Sequence, residues 1–165
     1  MDQFSLTDTA ALEPGPPQDY LVREVQTPEE LEALRPAWEA LNRRPSTQID
    51  FYTLINGLTN PPSAPYVLSL ERNGTVEGLV TGRVVVQDFN LRLGYQRVRL
   101  GKVRQLNLLH GGILGCAAED GATAAIQTLK AKLRERTLDL IFLNFTDTAS
   151  PFYQAAMRQF GLLQR

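Results

Sequence analysis

The dipeptide Asn73-Gly74 constrains this chain more than any other feature. It separates two runs of strand-forming residues, Tyr66 to Arg72 and Thr75 to Val86. A two-residue connection of this kind needs positive φ at both positions, which Asn and Gly tolerate best. The pair therefore predicts a type I′ hairpin, and with it an antiparallel sheet at the centre of the chain. Gly78 and Gly82 in the second run mark candidate bulges or close backbone approaches.

The remaining elements arrange themselves around that hairpin. Tyr20 to Val25 reads as a short strand. Thr27-Pro28-Glu29-Glu30 is a helix start, with Thr27 as cap, Pro28 at the first position and Glu30 completing a capping box. Leu31, Leu34, Trp38 and Leu41 repeat at helical spacing, and Pro36 inside the pattern predicts a kink or two abutting turns. A second helix is expected with Asp50 as cap and Phe51, Leu54, Ile55 and Leu58 as its apolar face, stopped by Asn60-Pro61-Pro62. Residues 87–104 read as a further hairpin or a strand extension around Gly94 and Gly101. Val103 to Leu109 follows as a strand ending at His110-Gly111-Gly112. A helix from Asp120 carries Ala122, Ala125, Ile126, Leu129 and Leu133 on one face. Asp139 to Phe145 is a nearly continuous apolar strand, expected to be covered on both faces. Ser150-Pro151 starts the last helix and Gly161 ends it. The order predicts an α/β (α+β) fold, a mixed and mostly antiparallel sheet with helices on both sides.

Residues 1–19, with Pro14, Gly15, Pro16 and Pro17, offer little apolar surface and read as a flexible leader to a domain over 20–165. One cysteine, Cys116, allows neither an internal disulfide nor a Cys-Cys zinc site, and no metal site is expected. No apolar run approaches the ~18 residues of a membrane span and the start lacks signal-peptide regions, so a cytoplasmic protein without a membrane partner is expected. Charge is uneven. Residues 1–50 hold ten acids against four arginines, whereas no acid occurs between residues 89 and 118. The basic cluster Arg92, Arg97, Arg99, Lys102 and Arg104 suits a phosphate, an anionic sugar or a partner domain, or is a solvated strand face that discourages edge pairing. The imbalance is too mild to predict nucleic-acid binding.

Three segments, in this order, resemble the GNAT acyltransferase superfamily, and more closely its BioF/CelD-like branch related to the Fem-type aminoacyltransferases. They are Glu30 to Leu41, the hairpin Tyr66 to Val80, and Asn144 through Gly161 with Asn144, Ala149, Tyr153 and Phe160-Gly161. The resemblance covers residues 20–165 and is to the first half of a two-half protein, whose sheet ends before its last strands. It implies an N-acyltransferase domain that moves an acyl group from acetyl-CoA, another acyl-CoA or a similar thioester to an amine. The acceptor would be a small molecule or a cell-envelope amine. A different class of reading is a catalytically silent half that serves as an interaction module for a second GNAT-like half or in a homodimer.

On that resemblance Tyr153 is the candidate general acid for the departing thiolate. Gly121 and Ala122 take the small positions of the phosphate loop, where backbone N–H groups meet the pyrophosphate at a helix start. The Arg or Gln that opens this loop in the superfamily is absent, and Glu119 and Asp120 bring negative charge there. Tyr66, Arg83 and Tyr95 are the candidate substrate-binding residues. A lone histidine is a candidate base, but no nucleophile or metal-ligand spacing accompanies His110. Cys116 reads as a small buried thiol.

Overall fold

In the computed structural model, residues 20–42, 44–59, 63–93, 95–115, 118–144 and 147–160 are described, without the side chains of 91–93 and 96–100. The expected leader, Cys116, Gly94 and Gly161 lie outside the described residues. The elements are β1 (Leu21–Val25), α1 (Pro28–Ala33), α2 (Arg35–Leu41), a 3-10 turn at Pro45–Thr47, α3 (Ile49–Leu58), β2 (Ser63–Arg72), β3 (Thr75–Leu93), β4 (Gln96–Leu114), α4 (Glu119–Arg134), β5 (Leu140–Leu143) and α5 (Pro151–Phe160). The strands form one five-stranded sheet in sequence order. The first four pair antiparallel, and β5 pairs parallel to β4, with α4 as the crossover that a parallel pair requires.

The central hairpin turns at Asn73 (φ 52°) and Gly74 (φ 75°), with Arg72 facing Thr75. The capping box also forms. Thr27 Oγ1 accepts the Glu30 N–H at 3.2 Å, and Glu30 Oε2 accepts the Thr27 N–H at 3.2 Å. Proline has no N–H to continue the ladder, so the helix breaks before Pro36, and α1 and α2 abut at Leu34.

Alternation along the strands sends side chains to two cores. On one face Leu68, Leu70, Val80, Leu106 and Leu108 pack under α4 and α5 through Ala122, Ile126, Leu129, Phe152 and Ala156. On the other, Val67, Leu79 and Leu114 pack under the first three helices through Leu31, Trp38, Ile49 and Tyr52. Among the described residues no helix is long and apolar enough to cross a membrane.

Four expectations are corrected. Asp50 does not cap α3. Gln48 is the N-cap, and Asp50 lies in the first turn, where Arg35 Nη2 donates to its Oδ1 at 2.8 Å. The buried face of α3 is Ile49 and Tyr52, while Phe51, Leu54 and Leu58 are exposed. Tyr52 takes the inner position because its hydroxyl serves the sheet backbone: it accepts the Tyr66 N–H at 3.0 Å and donates to the Gly82 carbonyl at 2.6 Å. Gly111-Gly112 does not end a strand, whereas residues 87–104 extend both strands, one of the two expected forms. The two long strands β3 and β4 run continuously, and beyond Val85 and Gln105 they extend as a two-stranded ribbon past β2 and β5. Finally, β5 is covered on one face only. Ile141 and Leu143 pack on the α4–α5 core, but Phe142 is 51% exposed.

Candidate functional site

The sheet is open beside β4 where β5 ends, at Leu143, among the described residues. Their pairing runs from Gln105↔Leu140 to Leu108↔Leu143 and stops there. At the same point β4 bulges. Leu108 faces Gly82 and Ile113 faces Val80, so the four residues Leu109, His110, Gly111 and Gly112 stand against Thr81 alone. Thr81 Oγ1 donates to the Gly112 carbonyl at 3.0 Å and anchors the bulge to β3. Only glycine fits at 112, since a Cβ there would lie 2.2 Å from Thr81 Oγ1. Beyond Leu108 one edge of β4 has no strand partner among the described residues. Such an edge presents backbone donors and acceptors to an extended ligand.

Polar side chains line the sheet before this opening. Arg83 faces Asn107 across the β3–β4 pair. Gln87 Nε2 donates to Gln105 Oε1 at 3.1 Å, and Gln105 Nε2 in turn donates to Asn107 Oδ1. Gln105 is only 7% exposed. The Arg83 Nε is buried with no hydrogen-bond partner among the described residues. Gln105 and Asn107 were not singled out by sequence reasoning. The available signal was the alternation Gln105-Leu106-Asn107-Leu108, in which a central strand gives every second position to an amide.

The six candidate residues fall in several places. Arg83 lies beside the opening, across from Asn107. Tyr153 is half-buried in the first turn of α5, with its N–H donating to the Ser150 cap at 3.2 Å. Tyr66 is buried under α4 and α5, on the sheet face opposite that of Arg83. Tyr95 stands fully exposed at the tip of the ribbon. The structure therefore does not bring Tyr66, Arg83 and Tyr95 into one groove. Ala122 is fully buried in the core, and Gly121 packs against the Tyr20 ring, which a Cβ at 121 would approach to 3.3 Å. His110 is exposed on the bulge.

The start of α4 carries Gly121 and Ala122, the positions at which the resemblance implies a phosphate loop. Its described surroundings do not fit an anion. Ala118 gives no side-chain cap, and Glu119 and Asp120 occupy the first turn. Glu77 reaches the same place. It accepts from the Tyr20 hydroxyl at 2.7 Å and pairs with Arg72 at 2.6 Å. The Arg72 hydrogen bond, with that of Tyr20, holds the Glu77 carboxyl below the usual range, so it stays charged at neutral pH. Arg72 also lies over the Tyr20 ring at 4.9 Å. Arg158 is engaged by Glu119 of that first turn. The niche left between Tyr20, Glu77, Gly115, Ala118 and Gly121 holds about 30 Å³, room for one water. Among the described residues no cluster of His, Cys, Asp or Glu is placed to hold a metal ion.

The sequence matches no family model and no curated protein. Among solved structures, the chain is similar to a crystal structure of ribosomal-protein-alanine N-acetyltransferase from Brucella melitensis biovar Abortus 2308. The TM-score is 0.50 at 17% sequence identity, over 86% of this chain and 91% of that one. That likeness establishes a GNAT-like fold, a mixed and mostly antiparallel sheet between helices, for this chain.

Proposed function

We propose that this GNAT-like chain, read as a BioF/CelD-like domain, transfers an acyl group from a thioester to an amine in the opening beside β4 where β5 ends. The observation that carries the reading is the coincidence, at Leu108, of the end of β5 pairing with a four-residue bulge in β4. An extended thioester arm would lie along the free β4 edge and bond to its backbone. In this reading backbone N–H groups of the Leu109–Gly112 bulge polarise the thioester carbonyl as an amine adds to it. Tyr153, in the helix that follows β5, is the group that would return a proton to the leaving thiolate.

Because the start of α4 does not fit a pyrophosphate, the arm of the donor matters in this reading and its nucleotide does not. The test compares acetyl-CoA with acetyl-pantetheine, which keeps the thioester arm and lacks the nucleotide. Acetyl transfer to a panel of primary amines and peptide N-termini is followed by release of free thiol. The expected result is turnover of both donors with kcat/KM within about tenfold of each other, a difference of about 1.4 kcal/mol or less. Tyr153→Phe should lower kcat by about 10²-fold or more with little change in KM. A clear preference for acetyl-CoA would overturn the assignment of α4. Absence of transfer from either donor would overturn acyl transfer itself and favour the silent interaction module.

A further inference from the structure

The ribbon formed by the outer parts of β3 and β4 lies outside both cores among the described residues. Beyond Val85, where pairing with β2 ends, β3 continues to Leu93, a reach of roughly 26 Å. The pleat divides the chemistry of this ribbon. Arg92 faces Arg97, Asn90 faces Arg99 and Asp88 faces Lys102, so the four cationic positions share one face. Phe89, Leu91, Leu93 and Val98 take positions on the other. Asp88, the only acid in this stretch, sits at its root. Lys102 is exposed, and Tyr95 stands fully exposed at the tip.

Like charges directly opposite each other weaken a strand pair. Arg92 opposite Arg97, with Arg99 next along the same face, is such an arrangement, and an external anion relieves it. The apolar positions and the Tyr95 tip ask for a different neighbour, one that takes an aromatic ring out of water while its hydroxyl stays wet. A nucleic acid or an anionic sugar answers the cationic face and leaves the apolar one in water. An anionic bilayer entered tip first meets both faces at once, phosphates for the cations and the acyl boundary for the leucines and the tyrosine. Attachment of this kind lies in the interface and needs no spanning helix. The geometry points to the ribbon as a docking element for an anionic lipid surface, with Tyr95 at the headgroup boundary and the positions of Arg92, Arg97, Arg99 and Lys102 among the phosphates.

The test is sedimentation of the full chain with vesicles of phosphatidylcholine alone and with vesicles in which about a third of the lipid is phosphatidylserine. The expected result is binding at least about tenfold tighter to the anionic vesicles, weakened at least about tenfold as salt rises from about 0.1 M to about 0.5 M. The pair Arg97→Gln and Arg99→Gln should weaken it at least about tenfold. Tyr95→Ser changes a fully exposed tip residue, so the fold is kept, and should weaken binding about threefold or more. Tyr95→Trp should give emission that moves to the blue on the anionic vesicles, while the buried Trp38 does not respond. Equal binding to both vesicles, no binding to either, or binding untouched by these substitutions would overturn the ribbon as a lipid-docking element. Tighter binding to a short DNA duplex or to heparin than to the anionic vesicles would overturn the choice of lipid as the partner.

Discussion

Tyr52 shows how a single polar atom can outweigh a hydrophobic pattern. The apolar repeat Phe51, Leu54, Ile55 and Leu58 predicts one buried face for α3, yet Phe51, Leu54 and Leu58 are exposed. Tyr52 is turned inward, 2% exposed, with its ring 5.2 Å from that of Trp38. Its hydroxyl bonds to both Tyr66 N–H and Gly82 O, groups that stand opposite each other across β2 and β3. Hydrophobicity ranks Tyr below Phe and Leu, and no periodicity reports that a buried backbone pair needs a hydroxyl between its members. Burial pushes the Tyr52 phenol up, so the hydroxyl keeps its proton and can donate throughout the neutral range. Tyr52→Phe removes both bonds and leaves two buried backbone groups unpaired. It should cost about 1–3 kcal/mol, read as a lower urea midpoint at unchanged m-value by Trp38 fluorescence. An unchanged midpoint would show that the two strands close the gap on their own.

Elements whose rules are local are the ones the chain announces most clearly. The Asn73-Gly74 turn, the Thr27 capping box and the break before Pro36 each depend on residues within four positions, and all three are present. The boundaries that could not be read depend on distant partners. The end of β4 is one case: Gly111-Gly112 has the composition of a stop, but Thr81 Oγ1 holds Gly112 inside the sheet and carries the strand on to Leu114. The candidate site suffers from the same limit. Arg83 was visible as a charge on a central strand, whereas its relation to Asn107, Gln105 and the β5 terminus exists only after three strands have registered. Local rules also give local tests. Thr27→Ala removes one member of the reciprocal pair with Glu30 and should lower stability by about 1 kcal/mol. Thr27→Ser keeps the hydroxyl and should recover most of it. Both values come from the same urea titration, and equal loss in the two variants would place the effect outside the cap.

At the scale of the whole molecule the body and the ribbon are built differently. The body buries both sheet faces under helices, and every strand contributes to one core or the other. The ribbon, Asp88 to Leu93 and Gln96 to Lys102, lies beyond the last β2 partner, Val85, and the first β5 partner, Gln105. None of its described residues belongs to either core. A lone two-stranded hairpin is marginal in water, so its order must be supplied by the sheet it grows from, while the sheet draws nothing comparable in return. Cooperative stability should therefore reside in the body. Replacing Asp88–Lys102 with Asn-Gly rejoins Gln87 to Val103, which already face each other, through the kind of turn that Arg72 and Thr75 use. The shortened chain should unfold in one transition with Tm within about 4 °C of the parent, the shift expected from roughly 1 kcal/mol in a domain of this size. A fall in Tm beyond about 10 °C would instead mean that the ribbon is part of the cooperative unit and that its strands hold the β3–β4 pair in register.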